Sequence, residues 1–477
     1  MPKTPRSVTV AVLAAVFAAC GAASAAGPIA LPASALAAPQ GSPARRPSEG
    51  DWPKYCGTLA MDGTATGETL LTRASAPSLE LLWMRTLSGS VASSPTVAGG
   101  RVYVGDWAGR EWCFNAATGA LVATMDLGTT YAAQCNPASI GITSAGAVSG
   151  GLLFVAGGGD SFYALDAETL AVVWKTWMGD NSEAGGYYGW CSPAVANGTV
   201  LQGVSSNCDN PFVPGRLVAL DPATGHEVTA ADFTPPGVNG SGVWTSPAVD
   251  VAARKIFVTT ASADQLEDGH AYSIVRLDLD TLAIEDAWRL DDPLAAVADY
   301  DWGSSPTLFT DAGGRRLVGA GQKDGSYYAF DRDHLAAGPV WKTPICRDGS
   351  SPQAGEGSLS TAAFDGRLLY MGGGGPLDST DPNLNGTVTA LDPADGHVVW
   401  TRSFNGPVIA PIATANGLVL STGGKLAFAL DAGTGDVVWS FQPNAYCFGG
   451  IAISKGRLFF GDLAGDLYCF RVPLSSP

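Results

Sequence analysis

Ser94-Pro95-Thr96-Val97, a turn, and then Arg101-Val102-Tyr103-Val104-Gly105 make up a unit that returns along the chain. Close copies open at Ser192-Pro193-Ala194-Val195, Ser246-Pro247-Ala248-Val249 and Ser305-Pro306-Thr307-Leu308, and looser ones at Ser139, Ser360, Ala410 and Gly450. Each continues into a segment like Tyr163-Ala164-Leu165-Asp166, a turn of the type Ala-x-Thr-Gly, and a strand bearing a Trp such as Trp174. Apolar residues alternate with period two between Gly, Asp and Asn turns, with no helical period, which is the pattern of short antiparallel strands. Eight starts with four strands each predict an all-β chain folded as an eight-bladed β-propeller of four-stranded antiparallel blades.

The last unit ends at Tyr468-Cys469-Phe470 without its Trp strand, while a spare strand from Leu79 to Leu87, carrying Trp83, precedes the first. The N-terminal strand is therefore expected to complete the final blade and close the ring, which also removes exposed sheet edges. Three regions follow: a signal peptide over 1–25, a flexible leader over 26–78 and the propeller over 79–473. The first rests on Lys3 and Arg6, an apolar run from Val8 to Ala19, and Ala23-Ser24-Ala25 as a cleavage site, so a secreted or periplasmic protein is expected. Ala18-Ala19-Cys20 offers lipidation at Cys20 as an alternative.

Acidic residues outnumber basic ones, 44 to 27, and a net charge of -17 disfavours nucleic acid and anionic membranes as partners. No later stretch is long and apolar enough to span a bilayer. The cysteines after Cys20 show neither Cys-x-x-Cys nor a haem-attachment motif, and Cys191 with Cys208 is the first candidate disulfide. His226, His334 and His397 fall in turns between third and fourth strands and His270 in a polar loop, so no His is placed as the base for a Ser or Cys nucleophile. Gly372-Gly373-Gly374-Gly375 precedes no helix and is not a phosphate loop. Asp378 and Asp381 read as solvated loop acids.

In such a blade, the loop leading into the innermost strand and the turn between strands two and three share one face. Those segments hold Trp190, Trp244, Asp301-Trp302, Asp106-Trp107, Cys208-Asp209, Ser262 and Gln322-Lys323-Asp324. A mouth rich in indoles, with a few carboxylates and one Lys, suits a flat, conjugated, anionic ligand.

The repeat is similar to that of pyrroloquinoline-quinone (PQQ) propellers, from about Leu79 to Val472. The stretches Asp299-Tyr300-Asp301-Trp302-Gly303-Ser304-Ser305-Pro306, Gly321-Gln322-Lys323-Asp324-Gly325 and Phe330-Asp331-Arg332 resemble quinoprotein alcohol dehydrogenases, most of all polyvinyl alcohol dehydrogenases. The resemblance implies an alcohol dehydrogenase using PQQ and Ca2+ and passing electrons to an external acceptor, with a small or polymeric alcohol as substrate. It makes Asp301 the catalytic carboxylate, Lys323 the residue at the quinone oxygens and Trp244 the stacking indole, with Trp302 and Trp190 beside the cofactor. Asp209, Ser262 and Asp301 would hold the calcium. The sequence departs from that pattern in Ser262 for Asn, in Asp209 for Glu, and in lacking both an adjacent Cys-Cys pair and a haem motif. A second reading is a non-catalytic propeller scaffold that binds a protein or glycan in the cell envelope.

Overall fold

The computed structural model describes residues 48–133, 139–263, 269–290 and 299–473; the expected signal peptide and the leader as far as residue 47 lie outside them. Eight antiparallel sheets form the propeller, and the described residues contain no α-helix. Blade 1 runs outward through Thr96–Ala98, Arg101–Gly105, Arg110–Asn115 and Leu121–Asp126. Blade 8 takes Ala452–Ser454, Arg457–Gly461 and Asp466–Arg471 from the C-terminus, and its outer strand is Glu80–Thr86, paired from Glu80↔Arg471 to Thr86↔Asp466. The ring closes as expected. Blade 3 carries an additional strand, Tyr187–Tyr188, on Ser205 and Ser206.

The repeated residues each have a mechanical role. The serine of Ser-Pro accepts a backbone N–H from the neighbouring blade: Ala145 N to Ser192 Oγ (2.9 Å), Ser192 N to Ser246 Oγ (3.0 Å), Ser246 N to Ser305 Oγ (2.9 Å) and Gly450 N to Ser94 Oγ (2.9 Å). That ring of hydroxyls shows blade 2 to begin at Ala145, ahead of its strand Ala147–Ser149, and not at Ser139. In four blades the Trp of the outer strand reaches the next blade's turn, as when Trp174 Nε1 donates to Pro222 O at 3.0 Å and Trp400 Nε1 to Ala432 O at 3.0 Å. Its ring lies where a Cβ on the turn glycine would go: at Gly225, of φ +73°, an added Cβ would fall 2.4 Å from Trp174. Only glycine meets both demands.

The leader expected over 26–78 is corrected from residue 48 onward. This segment lies against the innermost strands and bonds to them in turn. Trp52 and Val97 exchange two backbone bonds at 2.8 Å, and Pro53 O accepts Val148 N at 2.8 Å. Leu59 O, Ala60 O, Asp62 O and Gly63 O then accept N–H groups from Val249, Leu308, Phe364 and Thr414 at 2.7–2.9 Å. The composition of the segment hid this, because its order comes from backbone groups that the inner strands leave unpaired.

The expected Cys191–Cys208 pair is not formed: Cys191 is a buried free thiol, and so are Cys56, Cys113, Cys346, Cys447 and Cys469. Cys208 has no titrating thiol because it is disulfide-bonded. Of the remaining cysteines, Cys20 and Cys135 lie outside the described residues.

Candidate active site

Three separate stretches converge at one end of the ring. Trp244 lies in the loop before the inner strand of blade 4 (Ala248–Asp250), and Asp299 and Asp301 in the loop before that of blade 5 (Thr307–Thr310). Lys323 sits in the turn between Arg316–Gly321 and Ser326–Asp331 of blade 5. Trp244 Nε1 donates to Asp301 Oδ2 at 3.1 Å. The Lys323 ammonium is ion-paired with Asp301 Oδ1, lies 3.0 Å from Asp299 Oδ2, and stands 5.6 Å from the centroid of the Trp244 ring. Lys323 is the one partner that reaches Asp301 Oδ1 among the described residues.

Burial separates the two carboxylates. The side chains of Lys323 and Asp301 are 7% and 3% exposed, whereas that of Asp299 is 55% exposed. Asp209, in the turn of blade 3 between Thr199–Ser206 and Arg216–Leu220, brings a third carboxylate, and oxygens of Asp209, Asp299 and Asp301 lie within 4.8 Å of one another. Ser262 Oγ donates to Asp299 Oδ1 at 3.5 Å, joining the group through Asp299.

Three acids facing one ammonium set the electrostatics. Burial pushes Asp301 up to about 6, although Lys323 opposes the rise. Burial, and then the charges of Asp301 and Asp299, push Asp209 up to about 8. Burial alone would lower Lys323, but Asp301 and Asp299 outweigh it and hold the ammonium above its ordinary range. Both partners of the Lys323–Asp301 pair are thus raised, for different reasons: the lysine by its anions, the acid by desolvation. Three carboxylates with oxygens within 4.8 Å of one another match the hard oxygen donors a divalent cation takes. A buried ammonium beside a half-buried indole matches an anionic planar ring.

Trp302, expected beside the cofactor, is corrected. It is fully buried in the core between Trp288 and Tyr328, with ring centroids at 6.4 and 5.2 Å, and Nε1 donates to Tyr272 O at 2.9 Å. Its role is to floor the loop that carries Asp301. Trp190 is half-buried, packs edge-on to Tyr188 at 4.6 Å and donates to Ser206 O at 3.0 Å, three residues before Asp209. It braces the Asp209 turn. Sequence reasoning assigned no role to Asp299, although it stands two residues before Asp301 in the same motif. Tyr272 was also missed; this buried phenol is bonded to Ser262.

The PQQ_2 family profile, described as outer membrane protein assembly factor BamB, matches residues 57–122, 112–228 and 323–471. A polyvinylalcohol dehydrogenase of Pseudomonas sp is 25% identical over 79% of this chain, which spans 65% of that protein's length. A polyvinylalcohol dehydrogenase of Sphingopyxis sp. (strain 113P3) is 25% identical over 90% of this chain and 74% of its own. The fold is shared with the crystal structure of the quinohemoprotein alcohol dehydrogenase from Comamonas testosteroni, at a TM-score of 0.71 and 17% identity over 90% of this chain and 81% of that one. Matched by the profile over more than half its length, the chain belongs to the PQQ_2 family of β-propellers.

Proposed function

We propose that the chain is a quinoprotein dehydrogenase that oxidises an alcohol and passes the electrons to a separate acceptor. The supporting observation is the meeting of Trp244, Asp299, Asp301 and Lys323 at one mouth, and the names of the two curated relatives agree with it. PQQ, when bound, supplies a two-electron acceptor carbon, and a cation such as calcium supplies Lewis acidity at its oxygens. Lys323 would hold the anionic oxygens of the quinone and Trp244 would offer its ring face; Asp209 and Asp301 would hold the cation, with Ser262 behind Asp299. The resemblance made Asp301 the proton acceptor, but its side chain is 3% exposed and paired with Lys323, whereas that of Asp299 is 55% exposed. We therefore assign that step to Asp299, which opens to solvent, and give Asp301 the task of fixing ammonium and indole. The substrate is a small or polymeric alcohol, and residues 1–25 direct secretion.

Titration with PQQ and calcium, followed by tryptophan fluorescence, tests this reading. Saturation is expected at micromolar PQQ, with reduction of a dye acceptor once alcohol is added. Asp299→Asn should bind PQQ within a fewfold of wild type yet lose at least 100-fold in dye reduction, the usual weight of a positioned base. A protein that saturates with no PQQ defeats the proposal and leaves the scaffold reading, which the description of the family profile favours.

A further inference from the structure

In blades 1, 5 and 8 the turn between the second and third strands begins with a fully buried acid or amide, and its chemistry changes where the site lies. In blade 8 the residue is Asp462: Oδ1 accepts Ala464 N at 2.9 Å, and Oδ2 accepts Ala445 N, from the loop entering the blade, at 3.1 Å. In blade 1 it is Asp106, whose Oδ2 accepts Ser88 N at 3.2 Å and Gly89 N at 3.1 Å from the corresponding loop. Both carboxylates are fully buried and present acceptors to a loop whose N–H groups point at them.

Blade 5 has Gln322 at this position, also fully buried. Its Oε1 accepts Asp324 N, repeating the local half of the Asp462 arrangement. That backbone donor fixes which end of the amide is oxygen, so Nε2 faces the incoming loop, where it donates to Tyr300 O and, at 3.4 Å, to Asp301 O. The polarity of the contact is reversed: here the loop presents carbonyls. Lys323 follows Gln322 directly, and the two carbonyls belong to the residues between and at its acidic partners.

We propose that Gln322 is a positioning residue that sets the loop bearing Asp299 and Asp301 in register with Lys323, by donating where blades 1 and 8 accept. The choice of an amide has a second effect, since an aspartate here would put a fourth carboxylate next to Asp301. The assignment rests on the dehydrogenase reading for its purpose, but its geometry stands without it.

Gln322→Glu keeps the shape and turns the donor into an acceptor; Gln322→Met, an apolar near-isostere, guards against a failure of the first variant to fold. Hydrogen–deuterium exchange of the full-length protein without cofactor should show residues 299–306 exchanging at least tenfold faster in both variants, with blades 1 and 8 unchanged. PQQ affinity should fall at least tenfold in parallel. Unchanged protection of 299–306 in both variants overturns the proposal, as does faster exchange spread equally over all blades, which would make Gln322 a general structural residue. If wild-type protein binds no PQQ, the dehydrogenase reading fails, and the exchange measurement still decides the role of Gln322.

Discussion

Replacing Lys323 with Met removes the cation facing Asp209, Asp299 and Asp301 while keeping most of the side-chain volume. The cost follows from burial. Lys323 and Asp301 are both almost wholly inside, so a stranded Asp301 carboxylate costs about 3–5 kcal/mol. The half-exposed Asp299 adds less than about 1 kcal/mol, because water screens it. With unfolding entropy of about 2 cal/mol/K per residue, a ring of this size loses roughly 1 °C per kcal/mol, so the melting temperature at pH 7 should fall by about 3–5 °C. The pH dependence carries the sharper test. Asp301 titrates at about 6 in the folded protein, above its ordinary 3.8, so the folded state keeps that proton over a range in which the unfolded chain has lost it. Its contribution to stability is full below about 4 and is lost as pH rises through about 6. At pH 4 Asp301 is neutral in both proteins and the ion pair is gone, so the deficit of K323M should shrink to about 1 kcal/mol or less. Melting followed by tryptophan fluorescence at pH 4, 5.5 and 7 measures it. Equal deficits at pH 4 and 7 would refute the buried pair.

Two other perturbations probe the frame. Glu111 is 1% exposed with neither carboxylate oxygen bonded, and burial, then Asp106, holds it well above its ordinary range; opposite Gly105 it stands where Leu467 stands opposite Gly461. Glu111→Leu should raise stability by about 1–3 kcal/mol at pH 7, and by less at pH 4, where the unfolded chain also keeps the proton; urea midpoints that agree at both pH values would contradict this. Gly63 has φ +63°, and a Cβ there would lie 2.5 Å from Ile412 O, so Gly63→Val should cost about 2–4 kcal/mol and speed proteolysis within 48–71, a change absent if the segment is loosely held.

The blade count, the strand-swapped closure and the convergence of Trp244, Asp301 and Lys323 were all legible in the sequence, for a common reason. A repeat exposes its own register, so Lys323 and Asp301 can be placed on one face by counting. What stayed hidden needed information that no single unit contains. Trp302 has the same local spelling as a mouth residue, but its ring turns inward because Trp288 and Tyr328 leave it an apolar slot. The leader reads as linker because its polar and small residues are held through backbone bonds to six distant strands, and composition is silent about those. Cys191 is a buried free thiol whose sulfur accepts Gly203 N at 3.3 Å, a packing partner that cysteine spacing does not reveal. Asp299 was visible in the quoted motif, yet its separation from Asp301 in exposure depends on a left-handed φ of +56° that no residue type alone dictates.

The threaded segment bears on how the mouth works. Asp51 Oδ2 accepts Gly99 N at 3.1 Å and Glu68 Oε2 accepts Gly456 N at 2.9 Å, both in turns between first and second strands, on the face away from Lys323. Between those anchors the chain lies inside the ring, with Met61 fully buried and Lys54 spending its ammonium on Tyr55 O at 2.8 Å and Thr58 O at 2.9 Å. A charged amine satisfied by its own backbone is a filler of the axis, with no donor left over for a passing ligand. Residues 51–68 thus occupy the inside of the ring along the inner strands, on the side away from Lys323. On the dehydrogenase reading proposed above, alcohol and electron acceptor would share the approach past Trp244 and Asp299.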